Sequence, residues 1–210
     1  MAKQFTENGI DISHWNIVDS FEEVKQSGID FVIIKAGGSD KGFYTDRCFD
    51  NYYRLAKLSG LKVGAYYFVG KNFLGYDNGV ADAKRFLNIT YDKDFEYPLC
   101  LDIETTPPDL KDEATEAAIG FLEYLEAHDK YVSIYASDIS GFKERLMIDY
   151  LTPYDKWVAR YGKKPIFVES YGIWQKSSNG EVPGIRGKVD LDVSYKDYAS
   201  IMKNKSLNRR

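Results

Sequence analysis

A chain of 210 residues, 29% charged and 44% hydrophobic, is long enough to bury one sizeable core and points away from both disordered and membrane-embedded classes. Its net charge of −4 and pI near 5.3, without clustered Lys and Arg, exclude a nucleic-acid partner. The opening Met1–Asn8 lacks the apolar stretch of a secretion signal, and no apolar run reaches the roughly 18 residues of a bilayer span, so neither export nor membrane insertion is expected.

Apolar runs alternate with helical patterns through the first two thirds, which predicts βα units around a parallel sheet. Residues 9–13 read as the first strand and 21–27 as a short helix closed by Gly28. Residues 31–36 form a near-continuous apolar strand of the kind buried on both faces. A helix over 46–59 follows, with Phe49, Tyr52, Tyr53 and Ala56 on one face and Gly60 as its stop. Residues 62–68 are the third strand and 78–88 the third helix. The fourth strand covers 98–105 and is broken off by Pro107 and Pro108. Residues 112–128 show the clearest helical spacing, with acidic residues in the first turn, and 131–135 the fifth strand. The rhythm then changes. Residues 156–161 and 172–175 are strand-like with no helix-length segment between them, 177–180 reads as a turn, and 188–193 as the last strand. The total is eight strands in a single domain over residues 1–210, with a core of about 8–200 and a tail or linker remnant at 201–210.

Strand parity groups the acids. Asp11 and Ser13 share one face of the first strand while Ile10 and Ile12 take the other. The same alternation sets Cys100, Asp102 and Glu104 against Leu99, Leu101 and Ile103, and Asp190 with Asp192 against Val189 and Leu191. Asp102 and Glu104 are therefore side by side, with Cα atoms about 6.5 Å apart. Crowding raises the pKa of one of them, leaving a proton donor beside an anion near neutral pH, which is the equipment for splitting glycosidic bonds. A single Asp at a strand end is more often a turn former or helix cap. Burying two adjacent acids costs several kcal/mol unless they are paired or used. If the strands close into a barrel, the acids converge at the C-terminal strand ends, where βα barrels place their chemistry.

The 17 Tyr, 12 Phe and 3 Trp offer flat faces for sugar stacking. Tyr66, Tyr135, Tyr161 and Trp174 are read as inward-facing candidates for a groove wall. Cys48 and Cys100 are expected as separate thiols, and two histidines, His14 and His128, supply no ligand set for a transition metal. No metal or other cofactor is expected.

The residues Gly9–Ser13, Gly64–Phe68, Leu101–Glu104, Trp157–Tyr161, Trp174–Gln175 and Pro183–Ile185 leading into Val189–Asp192 together resemble glycoside hydrolase family 25, the Chalaropsis-type lysozymes common among bacteriophage endolysins. The resemblance covers essentially the whole chain. It implies an α/β fold, an irregular TIM-like (β/α)5(β)3 barrel, and cleavage of the β-1,4 bond between N-acetylmuramic acid and N-acetylglucosamine in bacterial peptidoglycan. Carried over, it implies Glu104 as general acid, Asp11, Asp102 and Asp190 as supporting carboxylates, and Asp192 as a substrate contact. The chain departs from the family pattern at Tyr67, where many members have His, and at Asp192, where many have Asn. Asp102 could orient the substrate's 2-acetamido group as internal nucleophile or position a water. The rival readings are a barrel that binds wall glycan without cutting it, and a chitinase-type glycosidase, whose earlier strand acids are replaced here by Leu99 and Cys100. Without a secretion signal the chain fits an endolysin held in the host cytoplasm before lysis. The acidic pI leaves adhesion to an anionic wall to a binding domain outside this chain.

Overall fold

The structure, a computed structural model, describes residues 5–205 and 207–208. Its barrel strands are β1 (Glu7–Ile12), β2 (Phe31–Gly38), β3 (Lys62–Val69), β4 (Leu99–Ile103), β5 (Val132–Ser137), β6 (Asp155–Ala159), β7 (Ile173–Gly180) and β8 (Val189–Ser194). The sheet closes because β1 pairs with β2 on one side and β8 on the other. All of these pairings are parallel except the two made by β8, which runs antiparallel to both β1 and β7. A hairpin-type connection suffices for such a reversal, whereas a parallel neighbour needs a crossover. The eight-strand barrel read from the sequence is therefore present, with its last strand reversed.

Helices α1 (Phe21–Gln26), α2 (Phe49–Leu58), α3 (Tyr76–Thr90) and α4 (Lys111–Glu126) follow the first four strands. Only short helical turns, Asp138–Lys143 and Ile148–Leu151, follow the fifth. Alternation along the strands separates two apolar sets. Ile10, Val32, Ile34, Val63, Leu101 and Ile134 pack outward against the helices, while Phe31, Ile33, Cys100, Trp157 and Ile173 fill the barrel. Gly9 makes room for this filling, since a Cβ there would lie 2.2 Å from the Phe31 ring. Cys48 and Cys100 are free thiols.

Two expectations are corrected. Residues 177–180 are not a turn: β7 runs extended to Gly180, which pairs with Val189 and lies so close to Leu191 that a Cβ would fall 2.4 Å from its Cγ. The polar small residues imitate a turn, but the ladder to β8 holds them straight. Nor is the C-terminal stretch a loose tail. Helix α5 (Tyr198–Lys205) carries buried Tyr198 and Met202 into the barrel floor. There the Tyr198 hydroxyl donates to Asp155 Oδ2 at 2.7 Å, and its ring meets Tyr97 at 5.1 Å. Beyond the helix, Asn208 is buried, accepting from the Tyr131 amide at 2.7 Å and donating to the Tyr97 carbonyl at 3.3 Å. Residues 206, 209 and 210 lie outside the described residues. Among the described residues no helix is long and apolar enough to cross a membrane.

Replacing Tyr198 by Ala removes a fully buried aromatic from the floor and should lower stability by about 3–5 kcal/mol. Urea denaturation checks this; a change within about 0.5 kcal/mol would mean the segment is dispensable.

Candidate active site

Strand β4 delivers the first acid pair. Asp102 is on its inner face, 5% exposed, and Glu104 stands exposed just past its end. Burial pushes the Asp102 carboxyl well above the usual carboxylate range, and the charge of Glu104 and a hydrogen bond with it add to the push. Lys35 pulls in the opposite direction. Asp102 Oδ1 is buried with no donor facing it. A proton held on the buried Asp102 carboxyl, beside Glu104, removes one of the two adjacent charges.

Lys35 is a buried lysine on the inner face of β2. Its ammonium lies 4.3 Å from the centroid of the Phe68 ring, 5.6 Å from Tyr44 and 5.9 Å from Tyr66. Aromatic faces compensate part of its lost hydration, and it places a cation beside Asp102.

The opposite wall is built from β1, β7 and β8. Antiparallel pairing sets Asp11 directly across from Asp190, and Gly9 across from Asp192. Asp11 is 7% exposed and Asp192 1% exposed, while Asp190 is half-buried. Burial is the largest cause that raises all three carboxyls, with the charges of Asp192 and Asp190 next for Asp11; Asp192 is pushed up to about 7. Because β8 is reversed, Asp190 reaches the mouth from the start of its strand, and the expectation that every acid comes from a C-terminal strand end is corrected accordingly.

Gln175 ties the wall together. Its Nε2 donates to Asp11 Oδ2 at 2.7 Å, and its Oε1 accepts from the Tyr135 hydroxyl at 2.9 Å and the Tyr161 hydroxyl at 3.2 Å. Trp157 Nε1 donates to Asp192 Oδ1 at 2.7 Å. Tyr66 meets the Trp157 ring edge-on at 6.2 Å. Behind Tyr161, Asp138 accepts from the amides of Ile166, Phe167 and Val168 and from Arg160, which organises the loop linking β6 to β7.

The structure thus brings together Asp11, Asp102, Glu104, Asp190, Asp192, Tyr66, Tyr135 and Tyr161. It does not bring in Trp174. Its strand neighbours Ile173 and Gln175 point inside, so Trp174 takes the other face, where its Nε1 donates to the Arg160 carbonyl at 2.8 Å. Tyr67 is likewise outside the mouth, fully buried against Phe86 and Phe121. Lys35 and Gln175 were missed. Parity with Ile33 and Ile173 would have flagged both, once the facing of those strands was known.

Gln175→Leu removes the neutral donor from the Asp11 carboxyl and leaves the buried Tyr135 hydroxyl without its acceptor, and should cost about 2–4 kcal/mol. Denaturant unfolding tests it; a loss below about 0.5 kcal/mol would mean that the network is not needed.

The model of the family described as "Glycosyl hydrolases family 25" matches residues 10–185. The chain is 30% identical over 185 residues to the autolytic lysozyme of Clostridium acetobutylicum, covering 88% of this chain and 54% of that protein, so it spans about half the length of that relative. Among solved structures it is similar to the CTP1L endolysin, with TM-score 0.80 and 26% identity over 94% of this chain and 70% of the other. A family 25 glycosyl hydrolase from Bacillus anthracis shares the fold, with TM-score 0.74 and 21% identity over 99% and 95% of the two chains. A closed barrel with acids gathered in its mouth and a family match over most of its length lead to one assignment: the chain belongs to glycosyl hydrolases family 25.

Proposed function

We propose that this protein is a muramidase that hydrolyses the β-1,4 bond between N-acetylmuramic acid and N-acetylglucosamine in bacterial peptidoglycan. The observation that carries the reading is the Asp102–Glu104 pair, one member buried and driven to hold a proton, the other exposed where a sugar can reach it. The likeness to an autolytic lysozyme and an endolysin supports the choice of substrate.

Glu104 delivers to the glycosidic oxygen a proton relayed through its hydrogen bond with Asp102 as the bond to the anomeric carbon breaks, and Asp102 is left as the carboxylate behind it. Positive charge grows on the sugar ring, where Asp11 and Asp190 on the opposite wall offset it. Asp102 is too deeply buried to attack the anomeric carbon itself. The substrate's own 2-acetamido oxygen forms the new bond instead, and Glu104, now anionic, takes a proton from the water that opens the resulting ring. Tyr161, exposed at the mouth, and half-buried Tyr66 offer ring faces to the glycan strand, while buried Tyr135 braces Gln175 behind them.

Mass spectrometry of fragments released from purified wall should find N-acetylmuramic acid at the new reducing end; N-acetylglucosamine there would replace this reading with a glucosaminidase, and no release at all would leave a glycan-binding barrel. Glu104→Gln should lower turnover by about 10²–10⁴-fold with wall binding intact. NMR of the first-formed anomer should show retention; inversion would assign the attack to a water.

A further inference from the structure

The opposite wall holds a second close pair of acids, of which the proposed chemistry uses Asp11 and leaves Asp192 without a role. Asp11 and Asp192 lie diagonally across the β1–β8 ladder on the inner face, since Asp192 pairs with Gly9 and Asp11 with Asp190. Each is fixed by one neutral donor, Asp11 by Gln175 Nε2 and Asp192 by Trp157 Nε1, both at 2.7 Å. Their carboxyl groups are within hydrogen-bond reach of one another, and Asp192 Oδ2 is buried with no donor facing it. The other groups facing the pair are Asp190 on β8, which also hydrogen-bonds Asp11, Lys176 on β7, Tyr66 on β3, Cys100 on β4, Tyr135 on β5 and Tyr161 after β6. Of these six only Lys176 is cationic, and its pull on Asp192 ranks behind burial, the Trp157 and Asp11 hydrogen bonds and the Asp190 charge. Two hydrogen-bonded carboxyl groups in an interior without a close cation cannot both stay ionised.

We propose that Asp11 and Asp192 share a single proton across the β1–β8 seam, and that Asp192 is thereby a positioning residue for Asp11. With both Gln175 and Asp192 bound to it, the Asp11 carboxyl is held at a fixed angle to the mouth. The inference deepens the muramidase reading, and rests on it only for the claim that Asp11 faces the substrate.

The sign of the linkage follows from the upward push on both groups. The pair keeps its proton in the folded state from about pH 4, where free aspartates ionise, to about 7. Unfolding in that window releases one proton, so the unfolding constant rises about tenfold per pH unit on the pair's account, and stability falls as pH increases.

Urea unfolding of the wild type, Asp192→Asn, Asp11→Asn and the double variant between pH 4.5 and 7.5 tests this. Each single variant should lose the same one-proton, tenfold-per-unit dependence, and the double variant should lose no more. Asp192→Asn with the wild-type pH dependence would overturn the proposal. So would losses that add in the double variant, because each acid would then own its proton. For the positioning role, wall clearing by Asp192→Ala should be impaired and Asp192→Asn, whose amide can still donate to Asp11, should restore most of the loss and hold it further into the alkaline range than the wild type. Equal impairment of Asn and Ala would overturn that role. If the wild type cuts no wall, the muramidase reading fails while the unfolding series still decides the shared proton.

Discussion

Five carboxyl groups converge on the mouth of this barrel, and a protein interior cannot hold five adjacent negative charges. Two unit charges 4 Å apart repel by about 4 kcal/mol at the effective dielectric of a protein rim, more than one hydrogen bond returns. The surroundings answer in three ways. Lys35 brings a cation toward Asp102 from within a ring of aromatic faces. Gln175 and Trp157 point neutral donors at Asp11 and Asp192. The remaining charge is removed by protonation, which burial favours at Asp102 and in the Asp11–Asp192 pair. An interior tuned in this way keeps protons at hand near neutral pH, which is what an acid-catalysed bond cleavage requires.

The two walls divide the labour by exposure. On β4 the outer member of the pair is open to solvent, where a bound molecule can meet it. On β1 and β8 the acids are buried and tied to donors, so their carboxyl groups are fixed in direction. The same strand alternation that fills the barrel with Phe31, Ile33 and Ile173 lifts these acids out of the apolar layer toward the rim.

Much of this was legible in the chain. Period-two alternation placed Asp11, Asp102, Asp190 and Asp192 on inner faces without any knowledge of neighbours, because each sits among flanking Ile, Leu or Val that must face the helices. Trp174 shows where such reasoning stops. Alternation separates it from Gln175 but does not say which of the two looks inward; that depends on the pairing of Gln175 with Ala159 and Asp192, a long-range register. The direction of β8 was hidden for the same reason. Helix α5 was hidden by composition, since its lysines read as a solvated end while Tyr198 and Met202, four residues apart, form too short an apolar stripe to stand out.

Closure of the barrel by its first and last strands has a temporal consequence. Asp11 and its partner Gln175 are 164 residues apart in sequence, and Asp190 and Asp192 lie further still. A chain emerging from the ribosome carries Asp102 and Glu104 long before it carries the strand that seals β1, so it possesses half a mouth and none of the wall that fixes Asp11. The mouth is complete only when β8 takes its place between β7 and β1.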